Sequence, residues 1–245
     1  MNLLEVQGLR KTYPAFRLED VSFSVPEGAV MGLIGRNGAG KSTTLKSILG
    51  LVHPDAGRVE MFGREFSENE RYIKENIGVV LGGIDFYPKK KVRTITDVTR
   101  RFYSNWQEEK YRHYLDLFAI DENKRVDQLS SGMRVKYLLA LALSHNVRLL
   151  ILDEPTSGLD PVSRDELAEL LRRIAADGTR SVLFSTHITS DLEKCASHIT
   201  FIQEGRLQRS DTLAGFMAHY ADLGSTLEEI IVAAERRPYD ADAII

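Results

Sequence analysis

The chain begins with two segments in which apolar and polar residues alternate. Residues 3–6 and 17–25 follow this pattern, and Val21, Phe23 and Val25 share one face. Alternation with a period of two is typical of strands that are buried on one side. We therefore expect two strands at the start of the fold.

Continuous apolar runs predict the centre of the fold. Residues 30–34 form such a run and lead into a glycine-rich turn, after which the spacing over residues 41–49 predicts a helix ending at Gly50. The runs at residues 149–152 and 182–184 are each followed by polar residues and a helical pattern, as buried parallel strands are. The sequence thus predicts an α/β fold with a parallel sheet between helices.

The remaining patterns suggest how the chain is divided. Helical periodicity without a convincing strand predicts an inserted helical subdomain at residues 83–146. Two short helices are expected in a tail formed by residues 211–245. Residues 1–82 and 147–210 would form the core around them.

Composition and charge narrow the class of protein. The 245 residues are 43% hydrophobic with a formal net charge of −3, so the chain can bury a large core but lacks the basic field that attracts nucleic acid. Its apolar stretches fall short of the roughly 18 residues of a spanning helix, and the N-terminus lacks a signal-peptide pattern. We expect a cytoplasmic protein in which the single cysteine, Cys195, is simply a buried side chain.

The most specific motif is Gly-Arg-Asn-Gly-Ala-Gly-Lys-Ser-Thr at residues 35–43. It stands between an apolar strand and a helix, as a P-loop must. Backbone N–H groups would face the phosphates, Lys41 would reach the β and γ oxygens, and Ser42 would ligate Mg²⁺. The predicted nucleotide-binding residues are Asn37, Gly38, Ala39, Gly40, Lys41, Ser42 and Thr43.

Two carboxylates follow the apolar run at residues 149–152. Asp153 is the candidate support for Mg²⁺, and Glu154 is the candidate general base that polarises the attacking water, a role that contributes about 10²–10⁴ in rate. An apolar run that ends in two acids is often only a strand end. Its combination with a P-loop favours the catalytic interpretation.

The segment Leu-Ser-Ser-Gly-Met at residues 129–133 resembles the signature of ABC ATPases, and further motifs of that family occur in order along nearly the whole chain. The resemblance implies a RecA-like P-loop NTPase core with an N-terminal antiparallel β subdomain. It also implies a head-to-tail dimer in which Ser130, Ser131 and Gly132 of one subunit cap the γ-phosphate bound by the other. Without the resemblance, Ser-Ser-Gly before a helix is merely a good N-cap.

The resemblance assigns roles to three more residues. Tyr13 matches the aromatic residue that stacks on adenine, and Asp160 lies in the loop that couples the two sites of the dimer. His187 matches the switch histidine, which contacts the γ-phosphate and orients Glu154. Each also has a structural interpretation, as a half-buried tyrosine, a helix cap and a histidine at a strand end.

The chain departs from the family pattern at residues 82–85, where Gly-Gly-Ile-Asp replaces the usual glutamine that touches Mg²⁺ or the attacking water. Asp85 is a candidate to substitute for it. The signature also has Ser131 and Met133 where glycine and glutamine are commonest. We expect catalysis to survive these changes. With these departures the chain resembles export-type subunits that are encoded beside separate membrane proteins.

Basic and aromatic residues are mixed at residues 86–91 and 100–106, in the half of the insert that faces the membrane subunits in relatives. They are candidates for contact with a partner's helix or with anionic lipid headgroups, and the alternative is a solvated loop with core aromatics. The other histidines show no metal-ligand spacing; they are His53, His113, His145, His198 and His219.

The motifs and the resemblance predict the ATP-hydrolysing motor subunit of an ABC transporter, with ATP and Mg²⁺ as cofactors. We expect a homodimer that drives a separate transmembrane permease from the cytoplasmic face of the cell membrane, as an exporter of a peptide, drug or lipid-like substrate and without a nucleic-acid partner. Two alternatives stay open: a soluble ABC ATPase, and an ATP-dependent scaffold of a membrane complex that transports nothing. The sequence does not identify the substrate.

Overall fold

The computed structural model describes residues 1–81 and 87–236. Its strands form one sheet in the order β5-β4-β1-β2-β10-β9-β3-β8-β7-β6. The described strands are β1 (Asn2–Tyr13), β2 (Phe16–Pro26), β3 (Val30–Ile34), β4 (Ala56–Met61), β5 (Arg64–Glu65), β6 (Ile77–Leu81), β7 (Leu149–Asp153), β8 (Ser181–Thr186), β9 (His198–Gln203) and β10 (Arg206–Thr212).

Helices cover the sheet and form the insert. The described helices are α1 (Lys41–Ile48), α2 (Phe66–Asn76), α3 (Val92–Thr99), α4 (Glu108–Leu117), α5 (Ser131–Leu143), α6 (Pro161–Ala175), α7 (Thr189–Cys195), α8 (Leu213–His219) and α9 (Leu227–Glu235). Short 3₁₀ turns occur at Arg100–Phe102 and Val126–Gln128. No described helix is long and apolar enough to cross a bilayer.

The predicted parallel sheet is confirmed. Strands β6, β7, β8, β3 and β9 are parallel neighbours in that order. Every residue of β3, β7 and β8 is buried, because helices cover both faces of the sheet, and this explains the continuous apolar runs. The carboxyl ends of three adjacent strands, β7, β8 and β3, therefore meet at one edge of the sheet.

The two predicted N-terminal strands are confirmed as β1 and β2, which pair antiparallel. Other strands escaped the sequence patterns. Strands β4 and β5 extend the sheet beyond β1, whereas β9 and β10 form a hairpin that joins β2 to β3. The domain boundary proposed before residue 211 falls inside β10.

The described part of the insert, residues 87–146, is helical, as predicted, and it has its own apolar cluster around Val92, Ile95 and Tyr111. Helix α5 belongs to two clusters: Tyr137 packs inside the insert, whereas Leu139 packs against the main sheet. This helix therefore fastens the insert to the core.

The tail forms the two expected short helices, α8 and α9. Thr226 and Glu229 make a capping box at the start of α9, and the Leu227 backbone N–H donates to the Glu193 carboxylate at 3.0 Å. Cys195 is buried, as expected, and burial raises the pKa of its thiol to about 12. Helix α9 is thus packed against α7, and α8 against the sheet.

Candidate nucleotide site

The P-loop connects β3 to α1. Gly38 and Gly40 have φ angles of 84° and 114°, which side chains rarely tolerate. A Cβ on Gly40 would also lie 3.0 Å from the ring of Phe16. Glycine at residue 40 thus lets the β1–β2 hairpin lie against the loop while α1 begins at Lys41.

Lys41 is held in place by the backbone of the loop and by Glu154. Its side chain is 4% exposed, and its ammonium donates to the carbonyl oxygens of Gly35 at 2.7 Å and Arg36 at 3.2 Å. The ammonium also lies 3.2 Å from Oε1 of Glu154. These partners offset the cost of burying an ammonium group away from water.

Ser42 and Asp153 meet at the same edge of the sheet. The Ser42 hydroxyl donates to Oδ1 of Asp153 at 3.0 Å, and the buried Ser185 hydroxyl donates to the same oxygen at 2.6 Å. Ser185 was missed as a site residue by the sequence analysis. Its only sequence signal is a hydroxyl inside the apolar strand β8.

The oxygen donors of Ser42 and Asp153 fit Mg²⁺, which favours one or two protein oxygen ligands together with water and substrate phosphates. No cluster of three or more His, Cys, Asp or Glu side chains suited to a metal occurs among the described residues. A metal at this place would therefore depend on oxygens supplied by ATP and water.

Glu154 is engaged through both carboxylate oxygens. Oε1 faces Lys41, and Oε2 lies 2.8 Å from Nδ1 of His187. The Glu154 backbone has a φ of 48°. This conformation is uncommon for residues other than glycine, and it is often found at functional sites. The Glu154 N–H donates to the Ser185 hydroxyl at 2.9 Å. The structure thus brings the P-loop lysine, the predicted base and the predicted switch histidine into one chain of contacts.

The signature lies beside the loop that contains Asp160. Ser130 caps α5 by accepting from the Met133 N–H at 3.2 Å, and Ser131 donates to the Gly158 carbonyl at 3.3 Å. A Cβ on Gly132 would meet the Ser163 hydroxyl at 3.0 Å. These contacts join the start of α5 to the start of α6.

Asp160 caps α6 by accepting from the N–H groups of Val162 and Ser163, both at 3.0 Å, and hydrogen bonds from Ser163 lower the pKa of its carboxyl. No hydrogen bond or ion pair within the described residues joins the signature (residues 130–132) or Asp160 to the P-loop.

Tyr13 ends β1 at the tip of the hairpin, where it pairs with Phe16. Its side chain is 39% exposed, and the Lys11 ammonium lies 5.8 Å from its ring centroid. Because Phe16 approaches Gly40, the hairpin tip lies near the P-loop. Tyr13 thus has an accessible ring in the region where adenine stacking was predicted.

The unusual segment at residues 82–85, with the candidate Asp85, lies outside the described residues, as does Phe86. Lys89, Lys90 and Lys91 are exposed, whereas Tyr103 stacks on buried His145 with ring centroids 3.9 Å apart. Of the proposed basic and aromatic surface, the lysines are thus solvated and Tyr103 is largely a packing residue.

A groove of about 690 Å³ lies between the sheet edge and the insert. Its apolar lining includes Leu51, Ile77, Val79, Leu81, Phe102 and Tyr103. Phe102 is 75% exposed, which is unusual for a large aromatic side chain. The groove is separate from the nucleotide residues.

Comparison with known proteins agrees with this geometry. The family model described as ABC transporter matches residues 18–157, more than half of the chain. The bacitracin transport ATP-binding protein BcrA of Bacillus licheniformis is 32% identical over 208 residues, which cover 84% of this chain and 68% of that protein. The Nod factor export ATP-binding protein I of Burkholderia orbicola is 39% identical over 191 residues, covering 76% of this chain and 62% of that protein.

A solved structure of an ATP-binding subunit of an ABC transporter has a TM-score of 0.84 and 28% identity, covering 96% of this chain and all of that one. The chain spans about two thirds of the length of the two curated relatives. The matched region contains the P-loop, the signature and the acid pair. The chain therefore belongs to the ABC transporter family, in which it is an ATPase that uses ATP together with Mg²⁺.

Proposed function

We propose that the chain is the motor subunit of an export-type ABC transporter. Two copies bind two ATP molecules between them and act on a separate transmembrane permease at the cytoplasmic face of the membrane. The proposal is supported by the relatives whose names refer to bacitracin transport and Nod factor export. The substrate would be a peptide, a drug or a lipid-like molecule.

In the proposed reaction, Lys41 and the P-loop N–H groups bind the phosphates of ATP. Phosphate oxygens compete with Glu154 for the Lys41 ammonium, which lies 3.2 Å from the carboxylate. Binding thereby frees one oxygen of Glu154 to accept a proton from the attacking water. His187, at 2.8 Å from the other oxygen, holds the carboxylate in its orientation.

Ser42 and Asp153 would hold the Mg²⁺ that arrives with ATP, with Ser185 fixing Asp153 through its 2.6 Å hydrogen bond. Mg²⁺ supplies charge that offsets the charge developing on the phosphate oxygens. Loss of the Ser185 hydroxyl would leave Asp153 less well oriented for this task.

A homodimer completes the site in this proposal. Ser130, Ser131 and Gly132 lie at the start of α5, where backbone N–H groups and the helix dipole attract anions. Within the described residues, no hydrogen bond or ion pair joins them to the P-loop of the same chain. Two identical chains arranged head to tail would place each signature on the other P-loop, with Asp160 and Tyr13 near the nucleotide, and symmetry favours this arrangement.

The apolar groove between the sheet edge and the insert is the observation that supports a membrane partner. Exposed apolar surface of this kind marks an interaction site, and Phe102 and Leu51 are among its most exposed large side chains. An amphipathic helix of the permease would cover it. Movement of the insert during ATP binding would then be passed to the permease.

The variant Glu154→Gln tests the chemistry. The amide cannot accept the proton of water, so we expect ATP turnover to fall about 10²–10⁴-fold, with ATP binding retained because Lys41 and Ser42 are unchanged. ATPase assays and nucleotide titrations measure the two properties. Full turnover in this variant would exclude Glu154 as the base.

The variant Phe102→Asp tests the partner surface in a Glu154→Gln background that retains ATP. We expect affinity purification from detergent-solubilised membranes to recover a multi-spanning protein with Glu154→Gln alone and to lose it when Phe102→Asp is added. Val98→Asp is the matched control, because Val98 is also exposed on the insert but does not line the groove. Recovery of ribosomes or DNA-processing factors instead would favour the soluble alternative.

A further inference from the structure

Glu235, the last residue of α9, reaches the P-loop from the opposite end of the chain. Its Oε1 accepts a hydrogen bond from the backbone N–H of Arg36 at 3.0 Å, and its Oε2 lies 3.7 Å from Nε of Arg36. The Glu235 side chain is only 7% exposed. A charged residue near the C-terminus is thus buried against the nucleotide site.

The position of Glu235 is determined by the packing of α9. Leu227 and Ile230 are fully buried in the main core, and the helix start is joined to Glu193 of α7. At the other end, the Gln203 side-chain amide donates to the Ala234 carbonyl at 3.1 Å. Because both ends are held, Glu235 has little freedom to leave the P-loop.

Glu235 and Lys41 hold the peptide groups at residues 35 and 36 from two sides. Lys41 donates to the carbonyl oxygens of Gly35 and Arg36, whereas Glu235 accepts from the Arg36 N–H. Burial raises the pKa of the Glu235 carboxyl, and the charges of Arg36 and Lys41 act in the opposite direction. A carboxylate at such a place has a desolvation cost, which these donors offset.

We propose that Glu235 is a positioning residue for ATP binding, which makes helix α9 a structural part of the nucleotide site. By accepting a hydrogen bond from the Arg36 N–H, Glu235 fixes the peptide groups whose carbonyl oxygens bind Lys41. The Lys41 ammonium is thereby kept in position to bind the phosphates. The inference requires ATP binding at the P-loop and is independent of the proposed membrane partner.

Steady-state ATPase assays of the full chain test this role. For Glu235→Ala we expect the KM for MgATP to rise about tenfold, the scale of one lost hydrogen bond to a charged group, with kcat within about twofold of wild type. The kcat is preserved because Glu235 does not contact Glu154, His187 or Asp153 among the described interactions. Glu235→Gln keeps an acceptor oxygen, so its KM should lie close to that of the wild type.

The Kd for MgADP, measured by titration calorimetry on dilute protein, should rise in the same proportion as the KM. Glu228→Ala is the matched control. Glu228 lies on the same helix and, together with Glu235 and His187, lines a second cavity, but no hydrogen bond to the P-loop is described for it. We expect wild-type KM and kcat for this control.

Three results would overturn the proposal: an unchanged KM in Glu235→Ala, a KM in Glu235→Gln as high as in Glu235→Ala, or a loss confined to kcat. If Glu235→Ala does not fold, Glu235→Asp replaces it, because shortening the side chain withdraws the carboxylate from the Arg36 N–H while keeping its charge. Glu235→Asp should also raise KM, and a wild-type KM in that variant would equally contradict the positioning role.

Discussion

The Glu154 side chain and backbone are held by three neighbouring residues. Its two oxygens are shared between Lys41 and His187, and its N–H is fixed by Ser185. The sequence motifs predicted Lys41 and Glu154 as site residues, and the family resemblance implied His187. The pairing of Lys41 with Glu154 and the role of Ser185 were not predictable, because both depend on the order of β7, β8 and β3 in the sheet.

Gly205 illustrates a residue whose backbone supports the P-loop from outside the motif. Glu204 and Gly205 form the turn between β9 and β10 with φ angles of 50° and 78°, the left-handed conformation of a tight hairpin turn. The Gly205 N–H donates to the Ala39 carbonyl at 2.9 Å. A Cβ on Gly205 would lie 1.8 Å from the Arg17 carbonyl oxygen.

We predict that Gly205→Ala destabilises the protein by about 2–4 kcal/mol, since the turn must move away from Arg17 in addition to bearing backbone strain. Gly178→Ala is the matched control, because Gly178 has a φ of 73° but its Cβ would meet no described heavy atom within 4 Å. We expect Gly178→Ala to lower the free energy of unfolding by only about 1 kcal/mol. Urea denaturation measures both, and equal losses would show that the close approach to Arg17 is unimportant.

At the scale of elements, α5 carries the signature and is held by a buried polar cluster. The Thr96 hydroxyl of α3 lies 2.7 Å from the Tyr111 hydroxyl and 3.0 Å from the Tyr137 hydroxyl. Tyr137 also donates to the Val92 carbonyl at 3.1 Å. This cluster joins α3, α4 and α5, so the insert is expected to move as one body with the signature.

Removal of one hydroxyl tests the strength of this connection. We predict that Tyr137→Phe lowers the free energy of unfolding by about 1–2 kcal/mol, because buried partners lose a hydrogen bond. Tyr114→Phe is the control, since the Tyr114 ring stacks on Phe118 and its hydroxyl has no hydrogen bond among those described. It should change stability by no more than about 0.5 kcal/mol. Similar losses in both variants would indicate that the cluster contributes little.

The elements differ in how well their sequences predicted them. Strands β3, β7 and β8 are buried on both faces, and their apolar runs were recognised. By contrast, three of the six residues of β4 are exposed, and β10 alternates weakly between exposed and half-buried residues. Their strand structure depends on pairing with β1 and β9, and tertiary pairing of this kind leaves little pattern in the sequence.

At the scale of the whole molecule, the nucleotide residues gather because the strands are parallel and adjacent. The P-loop follows β3, the acid pair ends β7, and His187 follows β8, so residues distant in sequence meet at one edge. The tail closes the arrangement by returning α9 to the P-loop through Glu235. ATP binding should therefore stabilise elements from both ends of the chain, and the single cysteine provides a way to observe this.

Cys195 is the only cysteine of the chain and ends α7 inside the core. Because burial raises the pKa of its thiol to about 12, almost no thiolate is present at pH 8 in the folded protein, and reaction with a thiol reagent requires opening of the fold. We predict slow labelling of the folded protein and rapid labelling in denaturing urea. MgATP should slow labelling by a factor of about 1 + [MgATP]/Kd, since it binds only the folded state.

The variant Lys41→Ala separates global opening from local fraying of α7. This variant lacks the lysine that binds phosphate, so MgATP should not slow its labelling, whereas Glu154→Gln should be protected at least as strongly as wild type. If α7 frays alone, labelling of the wild-type protein would be insensitive to MgATP and to low urea. In that case the tail and α7 would open independently of the nucleotide site, contrary to the close packing of α7, α9 and the P-loop.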